Sequence, residues 1–211
     1  NLYSNPLDNG CSLYLNNELV TDLTIPDSVT TIGDYAFYGC SNLTSVTIGN
    51  GVTTIGIKAF SGSALPSITI PDSVTTIEEE AFSSTDLTSI TIGDGVTTIG
   101  KLAFQDSALP NVTIPDSVTK IGDGAFYWCR DLKSITIGSG VTSIGSYAFF
   151  GFENLSVYCK ATTPPSLGEY TFSLNYHDVT IYVPTESVNA YKSAEDWSLY
   201  ADRIVGYDFS K

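Results

Sequence analysis

Residues whose types suit chemistry are few in this chain, and most stand apart from one another. Four cysteines (Cys11, Cys40, Cys129, Cys159) accompany a single histidine, His177. Zinc sites are built from closely spaced Cys and His, and no C-x-x-C pair occurs, so no zinc pattern is present. His177 has no repeated acid or nucleophile beside it in sequence. It reads as a loop histidine rather than as part of a Ser-His-Asp triad. Gly95-Val96-Thr97-Thr98-Ile99-Gly100-Lys101 imitates the start of a phosphate-binding loop. The next residue is Leu102, so the hydroxyl that would ligate magnesium is missing. Glu78-Glu79-Glu80 places three carboxylates in a row. A glycosidase needs a pair of carboxylates across a cleft, and nothing in the sequence marks one. The run suits the first turn of a short helix, where negative charge is favoured.

Two further sets recur with a period. Asp27, Asn50, Asp72, Asp94, Asp116 and Ser139 follow one another at 22 or 23 residues. Stacked at about 4.8 Å, the spacing of neighbouring strands, they would form a rail of oxygen ligands that calcium could bridge. Their context, Pro-Asp-Ser, Asn-Gly and Asp-Gly, is turn chemistry, which is the reading the residues favour. The second set is aromatic. Tyr127, Trp128, Tyr147 and Phe150 fall where sister segments carry Ser61-Gly62, Ser83-Ser84 and Gln105-Asp106. These four are the candidate ligand-binding residues, because exposed aromatic clusters mark binding sites. Packing against the C-terminal cap is the alternative. No catalytic residue, cofactor site or metal site is assigned.

What must position these residues is a repeat. LTIPDSVTTIGDYAF, from Leu23, returns at Val46, Ile68, Ile90, Val112 and Ile135, with a degenerate copy at Val157 and a strand-only copy at Val179. Copies one, three and five read IPDSV; copies two, four and six read IGNGV, IGDGV and IGSGV. The chain therefore grew by duplication of a two-coil unit. Within a copy, Leu23 and Ile25 alternate with Thr24, which is strand periodicity with one buried face. Val29 and Ile32 follow a turn and run along a second side. Ala36 and Phe37 occupy about one helical turn. One coil cannot bury this set alone, whereas stacked coils give continuous ladders of Ile, Val and Phe. Thr24, Thr47, Thr69, Thr91, Thr113, Thr136 and Thr180 would form an outward ladder broken by Tyr158. Cross-strand Thr pairs stabilise a sheet, and a Ser/Thr carpet of this kind also suits contact with ice or glycans. Cys40 and Cys129 share one position four coils apart, about 19 Å at the strand spacing, too far for a disulfide. Cys11 reaches Cys40 only through a particular path of the N-terminal segment. Free buried thiols are expected.

Leu43-x-x-Val46-x-Ile48 matches the LxxLxL strand signature, repeated from Leu65, Leu87, Leu109 and Leu132. The stretch Ile25 to Cys40, IPDSVTTIGDYAFYGC, resembles the BspA-type leucine-rich repeat family of bacterial surface proteins. The resemblance runs over about residues 13 to 211, and the tail around Tyr182-Val183-Pro184 and Trp197 is similar to the ends of such proteins. It implies a secreted or surface-anchored protein that adheres to host or microbial partners.

The expected fold is a right-handed leucine-rich-repeat β-solenoid, or horseshoe, with a parallel sheet, short helical or 3-10 turns and coils of 22–23 residues. A divergent N-terminal coil or cap spans 1–22, repeats span 23–183, and a cap with an amphipathic helix spans 184–211. Val188, Tyr191, Ala194, Trp197, Tyr200 and Ile204 would line one face of a helix over 186–202, with Thr185 as its N-cap. Nine Lys and Arg stand against 23 Asp and Glu, giving a net charge of −14. That excludes binding by phosphate neutralisation and attraction to anionic membranes. No apolar run approaches the length of a bilayer span. The chain has no Met and opens at Asn1, so a processed or trimmed segment is expected. Three sequons, at Asn42, Asn111 and Asn154, would mark glycans only in a eukaryotic secreted chain. The function expected is a non-enzymatic adhesion or recognition module, extracellular and monomeric, binding an extracellular protein or glycan. A spacer that displays another domain, or a carbohydrate-active enzyme, are the alternatives.

Overall fold

A computed structural model describes residues 2–4, 12–152, 154–172 and 179–210; Cys11 and His177 lie outside the described residues. At the N-terminus, β1 (Leu2–Ser4), β2 (Leu13–Leu15) and β3 (Glu18–Leu19) pair antiparallel in the order β1-β2-β3. Val20 N–H donates to the Leu13 carbonyl at 2.8 Å. Leu13 is buried on the first coil, and Asn42 Nδ2 donates to Ser12 Oγ at 2.8 Å. A divergent coil would have paired parallel; here a hairpin takes that place, because the Asn16-Asn17 turn, with both φ positive, reverses the chain.

Each following coil supplies a long strand and a short one. These are β4 (Asp22–Ile25) and β5 (Thr31–Ile32), β6 (Ser45–Ile48) and β7 (Thr54–Ile55), β8 (Ser67–Ile70) and β9 (Thr76–Ile77), and β10 (Ser89–Ile92) and β11 (Thr98–Ile99). Then come β12 (Asn111–Ile114) and β13 (Lys120–Ile121), β14 (Ser134–Ile137) and β15 (Ser143–Ile144), and β16 (Leu155–Cys159) and β17 (Ser166–Leu167). The short strands make one continuous parallel sheet from β5 to β17. Between long and short strand, Val29 N–H returns to Pro26 O at 3.0 Å, and the equivalent turn closes every coil through coil six.

The third side carries no strand, yet it is a ladder too. Phe37 N–H donates to Ala59 O at 2.7 Å and Phe60 N–H to Ala81 O at 2.8 Å, and so on to Phe149 and Thr171. Two residues before each Phe, the backbone is left-handed in all seven coils, with φ between 51 and 59°. Two residues after it, Gly39, Gly62, Ser84, Asp106, Trp128 and Gly151 are left-handed again. The expected helical turn is thus a string of i→i+3 turns whose left-handed residues swing alternate N–H groups outward to the next coil. Inside, Phe37, Phe60, Phe82, Phe104, Phe126, Phe149 and Phe172 stack with centroids 5.1–5.7 Å apart.

The long strands do not form one sheet. They pair as β4-β6, as β8-β10, and as a five-stranded block, and among the described residues no ladder joins β6 to β8 or β10 to β12. Proline explains both seams. Thr44, Thr88 and Lys133 each donate a backbone N–H to the preceding coil, at 2.9, 2.9 and 2.8 Å. Pro66 and Pro110 occupy that column in coils three and five and have no N–H to give. At the far end of the strand Lys160 N–H donates to Ile137 O at 2.9 Å, where coils three and five have Pro71 and Pro115. Coil seven, with Leu155 and Lys160 in place of the two prolines, pairs with β14.

At the C-terminus β18 (Val179–Pro184) pairs with β16 so that Tyr158 faces Tyr182 and Ser156 faces Thr180. Tyr182, not Thr180, therefore continues the outward ladder; residues 173–178 shift the register by two. A 3-10 turn (Thr185–Ser187), α1 (Val188–Ser193) and a 3-10 helix (Glu195–Arg203) follow, and β19 (Ile204–Tyr207) adds a further parallel strand against β18. The single helix over 186–202 breaks at Ala194, whose ψ is 132°, and Thr185 caps nothing. The apolar spacing of three is that of a 3-10 helix, not of the 3.6-residue helix. Tyr191, Trp197 and Tyr200 are buried, and Trp197 Nε1 donates to the Pro165 carbonyl at 2.7 Å. Trp197 and Tyr200 close the end of the Phe stack against Phe172.

Candidate functional site

The four aromatic candidates lie together on the third side, at coils five and six. Trp128 and Tyr147 hold left-handed backbone positions, with φ of 60 and 57°. Their side chains therefore project outward, and each is 39% exposed. Tyr127 and Phe150 directly follow the core residues Phe126 and Phe149 and stack on one another, centroids 5.6 Å apart at 16°. Both are half-buried. Tyr147 meets Phe150 edge-on at 5.6 Å. The sequence reading omitted two members of this cluster. Tyr170, 45% exposed, lies 5.4 Å from Tyr147, and the Arg130 guanidinium sits 4.2 Å over the Trp128 ring. Tyr170 occupies the column of Tyr35 and Tyr147, so aligning the degenerate seventh coil on its Phe would have found it. Tyr35 and Tyr38 form a smaller pair at coil one, with Lys58 6.0 Å from the Tyr35 ring.

Beside Tyr127 the surface has a depression of about 260 Å³, lined by Leu102, Gly124, Tyr127 and Tyr147 with Lys101, Asp123 and Ser146 at its edge. Its wall is held by polar contacts between coils. Asp123 Oδ1 accepts the Ser146 N–H at 2.8 Å, and Lys101 pairs with Glu79 at 3.3 Å.

The other candidates resolve into structure. Asp27, Asp72 and Asp116 each use Oδ1 to accept the N–H of the column neighbour in the next coil, at 2.7–2.8 Å. Glu79 and Glu80 make ion pairs across coils with Lys101 and Lys58, both at 3.3 Å; with no helix there, no helix dipole acts on them. The pair holds the Lys58 ammonium above its usual range, chiefly through the Glu80 hydrogen bond. In the Gly95–Lys101 segment, Val96 and Ile99 are core, and a Cβ on Gly95 would stand 1.7 Å from the Asp72 carbonyl oxygen. That glycine serves close stacking of coils, not phosphate. Cys40, Cys129 and Cys159 are free and buried. The Cys129 thiol donates to Phe104 O at 2.9 Å, and burial pushes it up to about 11. Among the described residues, no group of three or more His, Cys, Asp or Glu could hold a metal ion.

A second aromatic cluster, absent from the sequence reading, lies on the long-strand face. Tyr158 and Tyr182 stack at 4.6 Å, and Tyr207 meets both edge-on at 5.3 and 5.7 Å. The two-residue register shift and β19 create it.

Comparison with known proteins agrees with this architecture. The model of the BspA type leucine-rich repeat region matches in six copies, over residues 10–123 and 97–194. Among solved structures, the chain is similar to the T. pallidum leucine-rich repeat protein TpLRR, with 26% identity and a TM-score of 0.63 over 80% of this chain and 82% of that one. The pneumococcal vaccine antigen PcpA shares the fold, at 19% identity and a TM-score of 0.57, over 88% of this chain and 48% of PcpA. A search of curated proteins gives no significant match.

Proposed function

The chain belongs to the BspA-type leucine-rich repeat family, and from that premise we propose that it is a non-enzymatic recognition module on a bacterial surface, binding an extracellular protein through the third side of coils five to seven. The observation that carries this is an aromatic cluster the core does not need. Phe104, Phe126, Phe149 and Phe172 already fill the interior, fully buried. Trp128, Tyr147 and Tyr170 stand outside it, at left-handed positions where a bulky L-residue costs on the order of 1 kcal/mol. Sister coils place Gly39, Gly62 and Gly151 in the Trp128 column. Large aromatic side chains held at a cost on the surface support binding rather than packing.

The test is a panel of immobilised extracellular-matrix proteins and glycans at physiological salt. Wild type is compared with the Trp128→Ala/Tyr147→Ala double variant, with circular dichroism confirming that both are folded. A protein ligand lost in the variant supports the proposal. A ligand retained moves the site to another face, such as the Tyr158–Tyr182–Tyr207 cluster. Glycan binding alone changes the ligand class, and no binding at all favours the spacer reading.

A further inference from the structure

Resting on that reading, we infer that the depression at Gly124 is the anchor pocket of the recognition surface, and that it takes one apolar side chain from a basic protein segment. The column two residues before each core Phe holds Tyr35, Lys58, Glu80, Leu102, Gly124, Tyr147 and Tyr170, all left-handed. Six of the seven carry a side chain, so the backbone conformation does not demand glycine here. Close packing does not demand it either. A Cβ on Gly124 would meet only Leu102 Cδ2, at 2.5 Å, the far end of a flexible side chain. This differs from Gly51 and Gly95, whose Cβ atoms would strike backbone oxygen of the preceding coil at 1.8 and 1.7 Å. What Gly124 does is leave a gap in an otherwise continuous row of side chains.

The gap has the chemistry of an anchor site. Leu102 lines it on one side, and Tyr127 and Tyr147 wall it. At about 260 Å³ it falls below the roughly 300–1,000 Å³ of small-molecule sites and suits one side chain. Its apolar lining offers sugar hydroxyls little, which disfavours a glycan. The charge balance gives the partner's sign. Exposed Asp123 lines the edge, Asp106 follows the strand of contacts through its N–H to Tyr127 O, and Glu169 accepts the Tyr147 N–H at its carbonyl. The nearby cations are engaged, Lys101 with Glu79 and Arg130 with the Trp128 ring. With the whole chain at −14, a second copy is repelled and a basic segment is attracted.

The experiment is an amide chemical-shift titration of the full chain with two capped peptides, acetyl-GKKLKKG-amide and acetyl-GKKSKKG-amide. The leucine peptide is expected to shift the amides of Leu102, Gly124 and Ser146, and to bind more tightly than the serine peptide. Gly124→Tyr fills the gap, and because Tyr35, Tyr147 and Tyr170 occupy the same column it should leave the remaining spectrum folded. It should weaken leucine-peptide binding at least roughly tenfold, the loss typical when an anchor is denied its pocket. Gly124→Ala keeps most of the gap and should keep most of the binding. Equal binding of the two peptides, shifts that map elsewhere, or undiminished binding to Gly124→Tyr overturns the proposal. On the immobilised panel, a ligand lost with Trp128→Ala/Tyr147→Ala but kept with Gly124→Tyr overturns the anchor alone and leaves the recognition reading standing.

Discussion

Asp72 Oδ1 accepts the backbone N–H of Asp94 at 2.8 Å, binding an odd coil to the even coil that follows it. Asp27 does the same for Asn50, and Asp116 for Ser139. The aspartates of the column are therefore unequal: those in Pro-Asp-Ser turns accept, and those in Gly-x-Gly turns donate from their backbone. Asp72→Ala should lower stability by about 1 kcal/mol, the worth of one solvent-exposed hydrogen bond. Asp94→Ala leaves the backbone donor in place and should cost less. Urea unfolding of both variants checks the order. Calcium at millimolar level should leave the melting temperature unchanged; a rise would revive the metal rail.

The proline seams should be visible in amide exchange. Alternate residues of a strand direct their N–H groups to the same side, so Ile68 and Ile70 point, as Pro66 would, toward β6. Their amides should exchange faster than those of Ile90 and Ile92, which face a paired strand. Pro66→Leu/Pro71→Lys installs the pair that coil seven carries. It should slow exchange at Ile68 and Ile70 by about tenfold, equivalent to about 1.4 kcal/mol of local protection. Unchanged rates would mean that the prolines do not open the seam.

Stability should fall in mild alkali. The buried Cys129 thiol is raised from 9.0 to about 11 by desolvation. Above pH 9 the unfolded chain loses this proton while the folded chain keeps it, so the folded state loses ground between pH 9 and 11. The loss from this thiol is on the order of 2–3 kcal/mol. The Cys159 thiol and the Tyr191 phenol, also raised chiefly by burial, act in the same direction. Cys129→Ser does not ionise there, and Ser63 and Ser107 already fit its column. Thermal melts from pH 7 to 11 should show a shallower decline for that variant than for wild type.

Trp128→Gly separates stability from binding. Glycine is at home at a φ of 60°, and the buried surface lost is small because the ring is 39% exposed. The variant should be no less stable than wild type in urea while losing any ligand that wild type retains on the panel. A destabilisation beyond about 1 kcal/mol would make Trp128 a packing residue.

Much of the fold can be read from the sequence because every coil repeats one apolar code. The alternation at Leu23 and Ile25, the turn before Val29 and the invariant Ala-Phe pair each state a local preference, and stacking repeats it in register. The aromatic candidates were legible for the same reason, as breaks in a regular pattern at Tyr127, Trp128, Tyr147 and Phe150. Tyr170 was missed because the seventh coil departs from the code. The pocket was missed because Gly124 looks like one glycine among 18. Only its column, six side chains and one absence, shows what that glycine leaves open.

What the sequence alone determined is the coil: its period, its buried face and its turns, all interactions within about 23 residues. What the tertiary structure decided lies between coils. Whether an aspartate binds metal or caps the next turn depends on an N–H that the neighbouring coil presents. Whether β8 pairs with β6 depends on a donor that Pro66 lacks toward a coil 22 residues away. Tyr182 joins Tyr158, rather than Thr180, because a loop between them sets the register, and β19 brings Tyr207 to both. Hydrogen bonds and ring contacts reach only a few ångströms, so stacking, not the chain itself, chooses these partners.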